Sequence, residues 1–366
     1  MDDQTKQQLD AAEERLQAKK QEELVAHLRA RVQQVEGQLK SYQESAGGME
    51  ELYQSIATAV QAVEPYPRVK YERTKDPSRP VSLVADLSDL HIGEVVNPAE
   101  VEGLNEFNWA IAQDRIFQYA KNLVKWSAVQ RRAYPIEELV ILGKGDYISG
   151  SIHKELEATN EFPPPVQAVN AGHLVGEFAA RLAPHFDKVR FIGVGADNHG
   201  RLQPKPQAKQ KAQNSYSYVT HAVAQAYLKE HKNIEFIEAT GMKYLANIQG
   251  WKFLIEHGDT IRAWSGLPAY GMARTVGREA TRRMRGSLGF DYYSIGHFHV
   301  PSVLEERILV NGSLSGTSEF DHSCGRHAAP SQVSYLVHPE WGLFNWISWK
   351  FIKERSCGEV ADAPKE

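Results

Sequence analysis

Asp89-Leu90-His91 sets a carboxylate and an imidazole two residues apart, directly after the apolar run at residues 81–84. Side chains at that spacing can lean toward one point, and the pair offers a divalent cation one oxygen and one nitrogen donor. Asp and His meet on loops by chance, so this pair alone says little. Four later segments repeat the arrangement: Gly145-Asp146, Asn198-His199, His257-Gly258 and Gly296-His297-Phe298-His299. Each follows an apolar run that reads as a buried strand, at residues 138–142, 189–194, 251–255 and 291–295. In α/β sheets, ligand sites gather at the carboxyl ends of strands. Eight donor side chains are too many for one ion, and they suit two ions about 3.5–4 Å apart, an arrangement used for displacement at phosphorus. Carboxylate, amide and imidazole donors suit Mn, Fe, Zn or Mg rather than a thiolate-bound ion.

Strands and helices must alternate to hold these loops at one edge. Helical periodicity covers residues 107–132, 166–182 and 216–231, with a further strand at 234–237. Residues 333–337 and 343–351 read as a hairpin around His338-Pro339-Glu340-Trp341-Gly342. The pattern is that of an α/β layered domain over residues 81–355, with a polar tail at 356–366. Residues 1–45 are almost all Gln, Glu, Lys, Ala, Leu and Arg, a composition for one long helix. Val25, Leu28, Val32, Val35, Leu39 and Tyr42 form a heptad seam, from which we expect a homo-oligomer through this helix. Gly37 in the seam and Gln21 at a core position weaken it. Residues 46–80 read as a short helix and a proline-rich linker.

Composition is that of a soluble globular chain, with 42% hydrophobic and 24% charged residues in 366. A net charge of −4 argues against a globally basic nucleic-acid coat but leaves room for local basic patches. Two cysteines without a C-x-x-C point to reduced thiols in a cytoplasmic protein. The acidic start is unlike a secretory signal, and no apolar run has the length of a membrane span.

The ordered set D-x-H, G-D, N-H, H-G, G-H-x-H resembles the calcineurin-like metallophosphoesterase superfamily, nearest its DNA-repair exonuclease-like branch, which includes enzymes encoded by bacterial viruses. The resemblance covers roughly residues 81–351. It implies a four-layer sandwich of two mixed β-sheets flanked by helices, around a centre of two divalent metal ions, with Mn the leading expectation and Fe, Zn, Mg or Ni as alternatives. Carried over, Asp89, His91 and His299 would hold one ion, Asn198, His257 and His297 the other, and Asp146 both. His199 would orient the phosphate and serve the leaving oxygen as catalytic residue. Asn311-Gly312-Ser313-Leu314 looks like the glycine turn that follows the last motif. The third motif departs from the usual pattern by carrying Asp197, either a partner behind the ligands or a turn residue. Where the repair nucleases carry a second His after the bridging Asp, this chain has Ser149; His153 lies nearby but reads better as a surface residue.

Basic residues point toward the substrate. A helix read over residues 275–289 carries a stripe of Arg274, Arg278, Arg282 and Arg285, just upstream of His297. Lys205, Lys209 and Lys211 follow Asn198-His199, and Arg201 is a candidate phosphate clamp. Arg201, Arg278, Arg282 and Arg285 are therefore the expected substrate contacts. Trp264 and Tyr270 lie between these clusters, where rings can stack on bases or pack, and packing is the favoured reading. The expected activity is phosphodiester hydrolysis on DNA or RNA. A phosphatase or phosphodiesterase for small molecules or phosphoproteins is the alternative, and a non-enzymatic scaffold is disfavoured by the complete donor set.

Overall fold

The computed structural model describes residues 79–351 apart from 204, 264–266 and 326, together with 29–31 and 33. The expected coiled coil and linker therefore lie almost wholly outside the described residues, as do Trp264, Cys357 and the polar tail. Among the described residues no helix is long and apolar enough to cross a membrane.

Two mixed sheets carry the domain. The first has six strands: β1 (Val81–Leu87), β2 (Ile136–Gly143), β3 (Lys188–Gly193), β4 (Ile234–Glu238), β10 (Ser331–His338) and β11 (Gly342–Lys350). Their spatial order is β11-β10-β1-β2-β3-β4, with β1 to β4 parallel and β10 antiparallel to both neighbours. The second has five: β5 (Lys243–Ile248), β6 (Trp251–Glu256), β7 (Tyr292–Ile295), β8 (Ser302–Leu304) and β9 (Ile308–Val310), in the order β5-β6-β7-β9-β8. Here β6, β7 and β9 are parallel. The helices are α1 (Trp109–Gln130), α2 (Lys154–Thr159), α3 (Pro164–Leu182), α4 (Tyr216–Leu228), α5 (Pro268–Met284) and α6 (Glu319–Ser323).

The period of two along the strands sorts side chains into separate cores. Leu83, Ala85 and Leu87 of β1 join Leu139, Ile141, Val189 and Phe191 beneath α1, α3 and α4. Val84, Val140, Leu142, Ile192, Val333 and Tyr335 face the other way, onto Phe253, Ile255, Tyr292 and Leu309 of the second sheet. Leu254, Tyr293, Ile295, Ile308 and Val310 pack outward against Met272 and Val276 of α5. Helices, sheet, sheet and helix thus form four layers, and the parallel β1, β2 and β3 bring their carboxyl ends to one edge.

Local signals account for the helix starts. Asn108 caps α1 by accepting from the Ile111 amide at 3.0 Å, and Ser215 caps α4 by accepting from Ser217 at 3.1 Å. Pro164 opens α3, where its missing N–H is not needed. The helix expected over 275–289 instead runs Pro268–Met284, because Pro268 supplies the same kind of start seven residues earlier. Arg285 is consequently its C-cap, and residues 286–289 leave the helix. The strand β5 was not expected. Gln249 and Gly250 both have positive φ, 53° and 88°, and turn the chain tightly from β5 into β6, a job that Asn-Gly usually advertises in a sequence.

One buried ion pair ties the two sheets together. Lys144 Nζ lies 2.7 Å from Asp86 Oδ2 and 3.1 Å from Ser294 Oγ of β7, with both charged side chains fully buried. Burial pushes the Asp86 carboxyl up and the Lys144 ammonium down, and their mutual attraction opposes both shifts. Lys144→Met leaves a buried carboxylate without its cation and should cost about 3–5 kcal/mol. Asp86→Leu with Lys144→Met should recover most of that loss. Urea unfolding of the two variants and the parent checks this; a double variant no more stable than the single one contradicts it.

Candidate metal centre

All seven expected ligands come together at the carboxyl ends of β1, β2, β3, β6 and β7. Ligand atoms of Asp89, His91 and His299 lie within 4.8 Å of one another, and so do those of Asp146, His257 and His297. A third group of the same tightness joins His91, Asp146 and His199. Asp146 is therefore common to two groups. Asn198 adds its amide oxygen, with Oδ1 2.9 Å from His257 Nε2.

The loops are locked to one another through their backbones. Asp89 N donates to Gly145 O at 3.0 Å and His91 N to Asp146 O at 3.1 Å. Leu314 N donates to Asp89 O at 2.9 Å, and Gly296 N to His257 O at 2.8 Å. His297 N donates to Asp89 Oδ1 and His199 N to Asp146 Oδ1, at 2.8 and 2.9 Å. This locking holds an expensive conformation. Asp89, His91, Asp146, His297 and His299 have φ of 56°, 47°, 48°, 66° and 60°, in the left-handed region that side-chain-bearing residues avoid. Each costs on the order of 1–3 kcal/mol and persists only where its surroundings over-determine it. Gly296 is required for another reason: a Cβ there would run into Asp89 Oδ2 and Ser88 Oγ.

Partners behind the ligands aim them. His257 Nδ1 lies 2.8 Å from Lys144 O and must donate to it, which turns Nε2 toward Asp146 Oδ2 at 2.9 Å. His199 Nδ1 likewise donates to Ser149 O at 2.7 Å. His91 Nδ1 stands 3.6 Å from Glu94 Oε2, and His299 Nδ1 3.9 Å from Asp321 Oδ2. Asp197 is a brace: it accepts from Asp146 N at 3.0 Å, from Gly200 N at 2.8 Å and from Ser217 Oγ. Asn311 donates to Ser88 Oγ at 2.9 Å and to Gln332 Oε1 at 2.8 Å, and Ser88 Oγ in turn holds Asp89 Oδ2.

Carboxylates and imidazoles shift one another within the cluster. Burial raises the Asp146 carboxyl, but His257 and His199 override it and hold it well below its usual range. Asp89 is also lowered, burial being outweighed by His299 and His257. Burial would lower His257, yet Asp146 lifts it to about 10; Asp321 and Asp89 do the same for His299, also to about 10. His297 falls to about 4 through burial and the nearby His257, and His91 falls well below its ordinary value through burial, His199 and His299. Burial lifts Glu94 to about 7. His91 Nε2 and His299 Nε2 face each other at 3.2 Å. Two imidazole lone pairs at that distance require a proton or a cation between them. The donor set fits divalent ions with hard or borderline preferences.

The remaining expected residues are placed as follows. His199 is half-buried at the mouth, its ring 4.6 Å from that of His91 and edge-on to it. Arg201 lies in the following loop, where Arg201, Gln203, Lys205, Lys209 and Lys211 line a groove with Asn198 and Asp259. The arginine stripe is less available than its spacing suggests. Arg282 and Arg283 both reach Glu279, at 2.8 and 3.2 Å, and Glu279 also meets Lys243 at 3.2 Å. Lys243 pairs with Glu256, the residue before His257, so the middle of α5 flanks the His257 loop. Arg278 and Arg285 line the same α5 face. His153 is exposed at the start of α2. Tyr270 is 56% exposed, against the expectation that it packs. Sequence reading gave no role to Ser88, Glu94, Lys144, Asp321 and Gln332, whose roles come from contacts across the fold, and it singled out Asn311 only as part of a glycine turn.

No family model and no curated protein matches the sequence. Solved structures do overlap it. A conserved uncharacterized protein from Streptococcus pneumoniae TIGR4, a predicted phosphoesterase, is 12% identical with a TM-score of 0.24, covering 49% of this chain and 91% of that one. Wild-type Vps29 complexed with zinc from Entamoeba histolytica is 12% identical with a TM-score of 0.26, covering 73% and 98%. Vacuolar Protein Sorting 29 from Cryptosporidium parvum is 14% identical with a TM-score of 0.29, covering 75% and 99%. At such TM-scores the likeness carries no argument, and the chemistry below rests on this chain's own residues.

Without ions, His257 and His299 are held protonated against Asp146 and Asp89. Both are raised above the ordinary value of 6.5, so their contribution to stability is complete below that pH and is lost as pH rises through about 10. A cation needs neutral imidazoles and must expel those protons. Affinity for a divalent ion should therefore climb between about pH 6 and 9, with about two protons released on loading. Calorimetry in buffers of differing ionisation enthalpy measures the release; affinity independent of pH would contradict it.

Proposed function

We propose that the chain is a two-metal phosphoesterase of the calcineurin-like kind that hydrolyses phosphodiester bonds in nucleic acid. The observation that supports it best is that Asp146 belongs to two tight donor groups, one with His257 and His297 and one with His91 and His199, while Asp89, His91 and His299 form a third. Asp89, His91 and His299 would hold one ion, Asn198, His257 and His297 the second, and Asp146 both. Mn is the ion we favour for this mixture of carboxylate, amide and imidazole. Bound divalent ions supply an acidified water and polarise phosphoryl oxygens.

The chain's own side chains do the rest. His199, fixed through its Nδ1–H on Ser149 O, keeps Nε2 free of that bond, and its ring stands with His91 and Asp146 in one donor group. From there it can hydrogen-bond a phosphate oxygen and give a proton to the departing oxygen. Asp197 keeps the Asp146 amide and the Gly200 amide in register, so Asp146 and His199 cannot drift apart. Arg201 and the lysines after it offer charge to a phosphate chain.

Manganese-dependent turnover of bis-p-nitrophenyl phosphate and of labelled oligonucleotides tests this reading. Asp89→Ala, His91→Ala and Asp146→Ala should abolish both while leaving far-UV circular dichroism unchanged. His199→Ala should lower kcat by about 10²–10⁴ on an oligonucleotide, whose leaving oxygen needs a proton. The loss should be smaller with p-nitrophenolate, which departs unprotonated. If only the monoester p-nitrophenyl phosphate turns over, a phosphatase replaces the nuclease.

A further inference from the structure

Two faces of the domain combine opposite charge with exposed apolar side chains. Residues 268–285, which form α5 and its C-cap, hold five arginines, one glutamate and no lysine. Arg274, Arg278, Arg282 and Arg285 line a shallow groove of about 560 Å³ with Gly277 and Thr281. The one acid, Glu279, is largely buried against Lys243, so the outer face of the helix is basic. At and just past the end of the helix, Met284 and Leu288 are 77% and 52% exposed. Gly277 sits in mid-helix, where glycine costs about 0.5–1 kcal/mol relative to alanine. A Cβ there would meet nothing, so no packing within the chain calls for its small size. Close approach by a partner does.

The complementary face lies beside His91 and His299. Residues 94–106 carry four glutamates and no lysine or arginine. Glu94 stands 3.6 Å from His91 Nδ1, and Asp321 of α6 stands 3.9 Å from His299 Nδ1. Glu319 accepts from Asn97 N at 2.7 Å, and Asn105 donates to Ser315 O and Thr317 O at 2.7 and 2.8 Å. These bonds join the loop to the segment entering α6, so the acids stand on one wall. Glu100 and Glu102 are exposed on it, together with Leu104 and Phe320.

We propose that α5 of one copy docks on the wall formed by residues 94–106 and α6 of a second copy. Each face offers the charge that the other lacks, and both add apolar surface to be buried. Arginine, methionine and aromatic side chains are the types enriched in protein interfaces, and opposite potentials steer the encounter and fix its register. A nucleic-acid backbone would engage the arginines and leave Met284 and Leu288 in water. An anionic bilayer would meet a chain whose formal net charge is −4. Copies related by a two-fold axis make the contact twice; other arrangements close a ring or run on as a chain. The contact requires neither the phosphodiesterase activity nor the heptad seam at residues 25–42. It sets arginines of one copy beside the acids that stand behind His91 and His299 of the next.

Sedimentation equilibrium of the full chain and two charge-reversed variants tests this. Arg278→Glu with Arg285→Glu puts two anions on the helix, and Glu100→Arg with Glu102→Arg puts two cations on the wall. Each variant alone should associate at least about ten-fold more weakly than the parent. An equimolar mixture should regain most of the loss, because each altered helix then meets an altered wall and each natural wall a natural helix. Association through the N-terminal helix would not show that recovery. In the unaltered protein, raising NaCl from about 0.1 to about 1 M should weaken the contact with no substitution at all. A parent mass indifferent to salt overturns the proposal whatever the variants do. A mixture that fails to recover, when both variants keep the parent's far-UV circular dichroism, overturns it as well. If the variants keep the parent's mass while the altered helix loses binding to a labelled duplex or to phosphatidylserine vesicles, the face serves nucleic acid or a lipid surface, and the proposal falls.

Discussion

A carboxylate buried among imidazoles is the constraint on which the domain turns. Asp146 is fully buried, takes a hydrogen bond from the His199 amide and lies 2.9 Å from His257 Nε2. Three ligand groups converge in a space where every side chain is titratable, and none could be buried alone without a large penalty. Each group is tolerated because another opposes its charge, as the opposite shifts of His257 and Asp146 show. The arrangement also requires five non-glycine residues in the left-handed region. A strain of several kcal/mol of this kind survives only in a rigid frame. That frame is the set of backbone bonds running from each ligand loop to the next.

The frame extends into the sheets. Asp86 belongs to the strand that delivers Asp89, and Lys144 to the loop that delivers Asp146. Their ion pair, together with Ser294 on β7, spans the layer between the sheets directly behind the centre. The carbonyl of the same Lys144 orients His257. One residue thus connects a ligand from each sheet with the buried pair that joins them. A change at Lys144 would be felt at the donor cluster, through His257, as well as in stability.

Much of this was legible in the sequence, and the reason is local. A strand that ends in Asp-x-His or His-x-His announces both the strand and the ligand, since the apolar run and the polar loop are contiguous. Asp89, His91, Asp146, Asn198, His257, His297 and His299 were singled out on those terms, and the fold brings them together. Residues whose value arises across the fold were not. Ser88 just past β1, Asn311 just past β9 and Gln332 of β10 form a relay to Asp89, with Ser88 more than two hundred residues from the other two in sequence. Asp321 looks like an ordinary capping residue, and it is one, yet it also stands behind His299. The arginine helix was recognised but misplaced, because periodicity locates a face and Pro268 locates the start. Glu279 lies within the same helix and pairs with one member of the stripe, Arg282, and with Arg283 beside it.

Strand order explains both the shared ligand and the divided charge. In the first sheet β2 lies between β1 and β3. The loop bearing Asp146 is therefore flanked by the Asp89–His91 loop on one side and the Asn198 loop on the other, and Asp146 takes part in two donor groups, with His91 and His199 in one and with His257 and His297 in the other. In the second sheet β6 and β7 are neighbours, which sets His257 with the Asn198 side and His299 with the Asp89 side. Whatever charge a loop carries beyond its ligand is then assigned to one flank by topology. The insertion after β1 is acidic, and α6 closes on it. The insertion after β3 is basic, and Asp259 after β6 secures it. The two insertions thereby set opposite charge on the two flanks of the donor cluster, basic beside Asn198 and His257 and acidic beside His91 and His299.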